Sequence, residues 1–314
     1  GNYIPGDYAY SVTGDSNGNI YVTGQTNSSD YPVTTNAYDT SLNGSYDIFV
    51  SKLDANLANL LASTYLGGSS MDSGNSISID TNGNVYVIGD TWSSDFPTSS
   101  GAYDNSYNGG SYDAFVVKLN ENLTSLLAST YYGGGSNDSS RSITVGLDGN
   151  IYVTGETSSS NFPTTSEAYN TSYNGISDVY ISKFNSDLTN LLASTYLGGS
   201  SEEYGYSIAM SSNNNIYVAG RTSSSNFPIT IDAYDTAYNN YDTFVSKFDN
   251  NFSEQPPSGS ISINSNAIYT NLTTVTLTLS ATDNAGITGY FISTSSTTPS
   301  ATDSGWTSIT STTT

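Results

Sequence analysis

The sequence predicts an all-β protein made of one four-stranded unit repeated four times, followed by a smaller β module. A motif of the form NIYVTG recurs around four tyrosines that are spaced by 65, 66 and 65 residues. The segments between predicted turns are rich in Val, Ile, Tyr, Phe and Thr, and none shows a sustained helical period. A fixed period of this length indicates a repeat architecture. The four tyrosines are Tyr21, Tyr86, Tyr152 and Tyr217.

Each unit contains four predicted strands, which the second copy illustrates. The first strand includes SISID (76–80), and an Asn-Gly turn leads to the second, NVYVIGDT (84–91). The third is DAFVVKL (113–119), and the fourth is LLASTYYGG (126–134). Four antiparallel strands at a fixed period are typical of the blades of a β-propeller; the alternative is a stacked β-solenoid, whose coils are usually shorter. The copies cover about 1–68, 69–134, 135–199 and 200–252.

The repeated motif resembles that of a known family. The run D-x-x-G-N-I-Y-V-T-G-x-T-x-S-x-x-F-P, with D-x-F-V-x-K-L and S-T-Y-L-G-G downstream, is similar to the SBBP-type β-propeller repeat of bacterial and archaeal surface proteins. The resemblance covers about 1–252 and implies an extracellular propeller. It implies no particular activity, because that family is defined by its repeat and not by a reaction.

The repeat array is incomplete at both ends. Copy one has no preceding STYLGG segment, and copy four runs from FVSKFDNNF into a Pro-rich stretch without a fourth strand. Either the four copies form a compact ring with one three-stranded blade, or further blades complete a larger ring. We expect the compact ring, because the array ends at a clear linker, 253–259.

The residues after the linker, 260–314, resemble part of an immunoglobulin-like module. The alternation in TTVTLTLSATD is that of a half-buried sandwich strand. A complete sandwich needs about 100 residues and seven strands, and about 55 residues follow the linker. We therefore expect an incomplete module whose open edge pairs with another chain or with another part of its own assembly.

The composition restricts the classes of function. The chain has 314 residues and a formal net charge of −22, with 28 Asp and Glu against 6 Lys and Arg. Such a chain repels phosphate backbones and anionic lipids, so we expect no nucleic-acid partner and no direct membrane insertion. Charged residues are only 11% of the chain, and a surface of Ser, Thr, Asn, Gly and Tyr suits extracellular proteins. The chain starts at Gly without a signal peptide, which indicates a processed or partial chain.

Two repeat turns are candidates for calcium binding. DSNGN (15–19) and DTNGN (80–84) place oxygen ligands at alternate positions, as hard cations prefer. The leading Asp is absent from GLDGN (146–150) and SSNNN (211–215), and no distant Glu completes an EF-type loop. We therefore interpret the stretch as a two-residue hairpin turn, with calcium as the alternative and no other cofactor expected. The residues that would bind calcium are Asp15, Asn17, Asp80 and Asn82.

Each copy carries an Asp at the start of its third strand and a Lys five residues later. Residues five apart on a strand point to opposite faces, so we expect each Lys to meet a carboxylate on a neighbouring strand or blade. A central ring of Lys that binds an anion is the alternative. These eight positions are Asp47, Asp113, Asp178, Asp242, Lys52, Lys118, Lys183 and Lys247.

The residues give little support for catalysis. The chain has no His and no Cys, which excludes disulfides, imidazole or thiolate metal sites, and a Ser activated by His. A glycosidase needs two carboxylates across one cleft, whereas the copy-specific Glu167, Glu202 and Glu203 are better explained as solvated loop residues. We therefore expect a protein that is not an enzyme.

Tyrosines and sequons indicate further surface features. Repeated tyrosines such as Tyr65, Tyr131 and Tyr196 are expected to pack between blades, whereas tyrosines on loops could stack on sugars. The sequons that could carry glycans lie at Asn27, Asn43, Asn122, Asn137, Asn170, Asn251 and Asn271.

The sequence as a whole predicts a secreted or surface-anchored structural and adhesive protein. It would form part of a cell-surface layer, stalk or filament, and it would assemble with itself or with other surface proteins by strand pairing and packing. A carbohydrate-binding module with Tyr-rich loops is the alternative, and a polysaccharide hydrolase is a third interpretation.

Overall fold

A computed structural model describes residues 6–231 and 233–252 and the backbone of four short strands beyond them. The chain divides into two compact units. The first contains Gly1–Ile229 and Asp235–Ser253, and the second contains Thr230–Tyr234 and Glu254–Thr314. Within the described residues, no helix has the length and apolar character that crossing a membrane requires.

The first unit consists of four antiparallel sheets in chain order, which we call blades 1 to 4. Strands that are consecutive in the chain are neighbours in each sheet, and blade 4 has three strands where the others have four. Blades 1 and 2 contain β1 Asp7–Gly14, β2 Ile20–Thr26, β3 Asp47–Leu53, β4 Leu60–Leu66, β5 Asp72–Ile79, β6 Val85–Thr91, β7 Asp113–Leu119 and β8 Leu126–Tyr132. Blades 3 and 4 contain β9 Asp138–Val145, β10 Ile151–Thr157, β11 Asp178–Phe184, β12 Leu191–Leu197, β13 Glu203–Met210, β14 Ile216–Thr222 and β15 Asp242–Phe248.

The predicted strands of blade 2 are confirmed, although the bounds of the first, second and fourth differ from the predicted ones. The third strand of blade 2 has the predicted bounds, because its apolar and aromatic residues suit a pleated sheet. The first strand begins at Asp72, four residues before the predicted segment. The residues that extend it, Asp72 to Asn75, are polar or lack a side chain, so they give no apolar alternation. Antiparallel sheets of this order agree with propeller blades and not with solenoid coils.

The hydrophobic cores of the first unit lie between blades. We call the side of a blade that is turned to the next blade its trailing face, and the opposite side its leading face. Val50 on the trailing face of blade 1 packs in one core with Ile77 and Val117 on the leading face of blade 2. The next two boundaries have equivalent cores. Each blade is therefore stabilised mainly by its neighbours.

The described residues do not form a closed ring. Each of the three cores joins consecutive blades, and none joins blade 1 to blade 4. The expected compact four-bladed ring is therefore not found. Among the described strands, blade 4 has no fourth strand, as expected, and β15 pairs only with β14.

The second unit contains two small antiparallel strand pairs. β16 (Ser258–Ile263) pairs with β17 (Leu277–Thr282), and β18 (Gly289–Tyr290) pairs with β19 (Thr307–Ser308). β17 lies within the predicted sandwich strand, whereas β16 begins inside the predicted linker 253–259. The other residues of the predicted immunoglobulin-like module lie outside the described part of the chain.

Candidate functional site at the blade boundaries

The candidate calcium turns are held by their own amide groups. The Asp15 carboxylate accepts the backbone N–H groups of Asn17 and Asn19, both at 2.9 Å, and the Asn19 side-chain amide at 2.8 Å. Asp80 makes the equivalent contacts, beginning with the N–H of Asn82 at 2.9 Å. Among the described residues, no group of three or more acidic side chains could hold a metal ion. The turn itself therefore explains both Asp residues.

The form of this turn differs from the prediction. The Asp15 N–H donates to the Asn19 carbonyl and the Gly18 N–H donates to the Asp15 carbonyl, both at 3.0 Å. Within 15–19 only Gly18 has a positive φ, of 81°. A two-residue type I′ turn needs a positive φ at both central residues. The hairpin is thus confirmed, but its connection is longer and ends in a single left-handed glycine.

Other side chains replace the leading Asp in blades 3 and 4. Asp148 accepts the side-chain amide of Asn150 at 2.7 Å and the hydroxyl of Tyr152 at 3.0 Å. The Ser211 hydroxyl accepts the N–H of Asn215 at 3.2 Å. The turn therefore uses a side-chain oxygen in every copy, although neither its residue type nor its position is constant.

The repeated Asp at the start of the third strand closes the long loop before it. Asp47 is fully buried and accepts the N–H groups of Asn43 at 2.8 Å and Gly44 at 2.9 Å. Without this carboxylate, those two loop amides would lose their hydrogen bonds to the protein. The equivalent residues Asp113, Asp178 and Asp242 also accept loop N–H groups.

A second acidic series opens the first strand of each blade, and sequence reasoning missed it. Asp72 is fully buried and accepts the Gly68 N–H at 2.7 Å, the Ser93 hydroxyl at 2.9 Å and the Thr91 hydroxyl. Glu203 holds this position in blade 4 and is also fully buried, so its interpretation as a solvated loop residue is wrong. The series consists of Asp7, Asp72, Asp138 and Glu203.

The two acidic series meet at each blade boundary. A methyl group built on Gly67 would lie 2.9 Å from carboxylate atoms of both Asp47 and Asp72. Only glycine leaves room for both carboxyl groups, which explains the glycine that follows STYL or STYY in the fourth strand of each complete copy. The other two pairs are Asp113 with Asp138 at Gly133, and Asp178 with Glu203 at Gly198.

Burial makes these carboxyl groups weaker acids than an exposed Asp, because it raises their pKa. Burial, with a further contribution from the Asp138 charge, raises the pKa of Asp113 to about 7. Burial also raises the pKa of Asp72, Asp138 and Asp178 to about 6. Among the described atoms, the Oδ1 atoms of Asp113 and Asp178 have no hydrogen-bond partner. The pairs can therefore hold protons near neutral pH, but their full burial keeps a polysaccharide away from them.

The remaining copy-specific acids lie at or near the surface, as expected. Glu167 is exposed, and Glu202 is half-buried with its carboxylate 4.0 Å from the Arg221 guanidinium.

The repeated tyrosines stabilise the long loops. Tyr65, Tyr131 and Tyr196 are almost fully buried, and the Tyr131 hydroxyl donates to the Ser93 carbonyl at 2.7 Å and accepts the Phe96 N–H at 2.9 Å. Tyr131 and Tyr196 lie in the cores between blades, as predicted. Among the sequons, Asn43, Asn122 and Asn251 are exposed, Asn27, Asn137 and Asn170 are half-buried, and Asn271 lies outside the described residues.

Two of the repeated lysines meet carboxylates, as expected. Lys52 Nζ lies 2.8 Å from Glu121 Oε1 in blade 2 and 3.9 Å from Asp15 Oδ2 in its own blade. Lys183 Nζ lies 3.3 Å from Asp148 Oδ2. Both lysine side chains are more than nine-tenths buried, so an ammonium group there needs such partners.

The other two lysines differ from the expected pairing. Lys118 Nζ donates to the backbone carbonyl of Ser186 in blade 3 at 3.1 Å and lies 5.2 Å above the Tyr86 ring. Lys247 in blade 4 is exposed, because no described blade follows it. Lys52 and Lys183 are buried and Lys118 is half-buried. Each of the three has its contacts at its own boundary, which does not fit a shared anion-binding ring.

We expect Lys52→Met to lower the free energy of unfolding by about 1–3 kcal/mol, because it removes a buried ammonium group that bridges two blades. Methionine keeps most of the apolar stem, so the change reports mainly on the charge. Urea unfolding at pH 7 measures the effect. The matched control is Lys247→Met, whose effect should stay within about 0.5 kcal/mol. Equal losses in the two variants would contradict the bridging role.

Together these contacts define an all-β repeat protein in which buried polar side chains hold consecutive antiparallel sheets together. A family model described as beta-propeller repeat, SBBP, matches residues 5–32, 63–97, 129–163 and 194–228. Four segments of the chain therefore match the SBBP beta-propeller repeat, which confirms the resemblance for the repeats. The last three matched segments each span a blade boundary, including its glycine and the acid that opens the next blade. No curated protein matches the chain.

Proposed function

We propose that the chain is a non-catalytic extracellular protein with a structural or adhesive role, as a unit of a cell-surface layer, stalk or filament. The main support is that its repeated polar residues make their contacts within the array, at the boundaries between blades. At the three internal boundaries the repeated Asp side chains are buried and bind loop amides, whereas the repeated Lys side chains are buried or half-buried and bind backbone carbonyls or other carboxylates. Residues placed in this way stabilise an array, and those that are buried offer no surface to a substrate.

The composition and the open edges support the location and the mode of assembly. Few charged residues and many Ser, Thr and Asn suit an extracellular surface. An unpaired strand edge can add a strand from another chain, and β15 has such an edge among the described strands. The chain would pair with copies of itself or with other surface proteins.

Electron microscopy of the purified chain tests this proposal. We expect ordered assemblies in negative stain without added ligand, and no product from a panel of polysaccharides. Turnover of a polysaccharide would contradict the non-catalytic role. A protein that neither assembles nor adheres to surface glycans or proteins would contradict the structural and adhesive role.

A carbohydrate-binding function is the second candidate, because blade 4 exposes aromatic rings. Tyr241 is 67% exposed and Tyr206 is 51% exposed, and tyrosine rings pack well on the apolar faces of sugars. A glycan-array signal from a monomeric protein, lost in Tyr241→Ala, would favour this function over assembly. The exposed loop residue Leu147, changed to alanine, is the matched control.

A further inference from the structure

The leading face of blade 1 exposes a position that is buried in every other blade. Ile77, Ile143 and Ile208 are at most 6% exposed, because each packs against the preceding blade. Val12 holds the same repeat position in β1 and is 64% exposed. The position is therefore a contact between blades, and blade 1 presents it to solvent.

The turn between the third and fourth strands shows the same contrast. Leu123, Leu188 and Phe252 have φ values of 55°, 55° and 53° and are fully buried. Leu57 has a φ of 57° but is 62% exposed. A left-handed backbone is unfavourable for leucine, and in the other copies it is compensated by packing in the core. Blade 1 keeps this strained turn although its apolar side chain lies in solvent.

Backbone hydrogen bonds accompany this turn at the internal boundaries. The Tyr38 N–H of blade 1 donates to the Leu123 carbonyl of blade 2 at 2.9 Å. The Tyr103 N–H donates to Leu188 at 2.8 Å in the same way. The Leu57 carbonyl holds the acceptor position in blade 1. The leading face of blade 1 thus has both the apolar and the polar features of a boundary.

The trailing face of blade 4 is exposed at the complementary positions. Val245 is 75% exposed, whereas its three equivalents are fully buried. Tyr217 is 37% exposed, whereas the other three tyrosines of the NIYVTG motif are fully buried. Lys247 is the exposed member of the lysine series. The buried equivalents of Val245 are Val50, Val116 and Ile181.

We propose that these two faces bind each other between copies of this chain: the trailing face of blade 4 docks on the leading face of blade 1 of a second molecule. This inference rests on the proposed assembly function and names its surfaces. A second copy is the occupant because one chain carries both halves of a contact that it already makes three times. The repeat register places Val245 against Val12, and Lys247 near the turn that contains Leu57.

Such a contact joins different surfaces, so the copies associate head to tail. A head-to-tail contact gives a closed ring if the rotation between copies allows it and a filament if it does not. Two copies bring together eight blades, a number within the range of propellers. The charge of −22 on each copy opposes association, so added salt should strengthen it.

Sedimentation velocity over a concentration series tests the proposal with Leu57→Glu and Val245→Glu. The wild-type chain should associate, and each variant alone should associate at least about 100-fold more weakly, because it places a charge in the centre of the contact. A 1:1 mixture of the two variants should form a heterodimer and nothing larger, since each retains the face that the other lacks. Leu147→Glu, at another exposed leucine, should behave as wild type. Unchanged circular dichroism and melting would show that the variants are folded.

Three results would overturn the proposal. A wild-type chain that stays monomeric throughout the series would remove it. If both variants assemble like the wild type, assembly uses strand edges, and the proposed function stands without this contact. If Leu57→Glu abolishes association but Val245→Glu does not, the contact joins two like faces of blade 1 and is not head to tail.

Discussion

Gly155→Ala is expected to lower the free energy of unfolding by roughly 3 kcal/mol or more. Gly155 lies in the second strand of blade 3, next to a bulge in its pairing with the first strand. A Cβ atom there would overlap the backbone carbonyl of Ser139, which cannot rotate away as a side chain would. The two strands would have to separate within a buried sheet. Urea unfolding with thermal melting measures the loss.

The matched control for this prediction is Gly135→Ala. The nearest atom to a Cβ at Gly135 is the Asn161 Oδ1 at 3.4 Å, and the residue has no positive φ. Its effect should stay within about 0.5 kcal/mol. If Gly155→Ala were as mild as this control, the close approach of the two strands would be wrong. The glycines equivalent to Gly155 are Gly24, Gly89 and Gly220.

The stability of the array is expected to fall as the pH rises from about 5 to 8. Burial raises the pKa of five carboxyl groups to about 6 or 7 in the folded chain, from an ordinary value of 3.8. The folded array therefore binds more protons than the unfolded chain in this window, and raising the pH favours unfolding. Each unit of pKa corresponds to about 1.4 kcal/mol, so the summed loss is several kcal/mol. The five groups are Asp72, Asp90, Asp113, Asp138 and Asp178.

Thermal melting at pH 5, 6, 7 and 8 measures this trend, and Asp113→Asn tests its origin. The Asp113 Oδ1 has no partner among the described atoms and shares the space at Gly133 with Asp138, whereas Oδ2 accepts the Asn108 N–H. An amide keeps the acceptor and turns an N–H toward Asp138. The variant should melt about 3 °C or more above wild type at pH 8 and equally at pH 5.

Asp242→Asn is the control for the carboxylate pairs. Asp242 holds the same repeat position in blade 4 and accepts the Asn239 N–H at 2.7 Å, but no described blade follows with a second acid. Its substitution should leave the pH profile unchanged. A wild-type profile for Asp113→Asn would mean that the pairs do not cause the pH dependence.

Much of the fold follows from the repeat alone. The third strand of blade 2 has its predicted bounds, because Phe115 and Val117 alternate with residues of the opposite face between an acid and a loop. The three-stranded form of blade 4 among the described strands was also predictable, since copy four has no STYLGG segment. Whether the blades close into a ring could not be predicted in this way. The repeat period gives the number of blades but not the angle between neighbouring blades.

The buried acids show why the boundary sites were only half predicted. The series that opens the third strands keeps Asp in every copy, so repetition reveals it. The series that opens the first strands changes to Glu203 in blade 4, and its members precede Ser or Tyr in stretches that look like loops. Its regular spacing of 65, 66 and 65 residues was the available signal. Burial of an acid depends on donors from distant loops, such as Ser93, which no local pattern contains.

The cores between blades determine by which steps a repeat array of this kind can lengthen or shorten in evolution. No blade contains a complete core, so a single blade has little to stabilise it alone, whereas a run of blades gains one core with each addition. Loss of 69–134 by recombination between equivalent points would place Val50 against Ile143 in the position of Ile77, and Lys52 beside Ser186 in the position of Glu121. The new contact would have nearly the same chemistry as the old one. Whole repeats of about 65 residues are therefore the natural steps by which this array can lengthen or shorten.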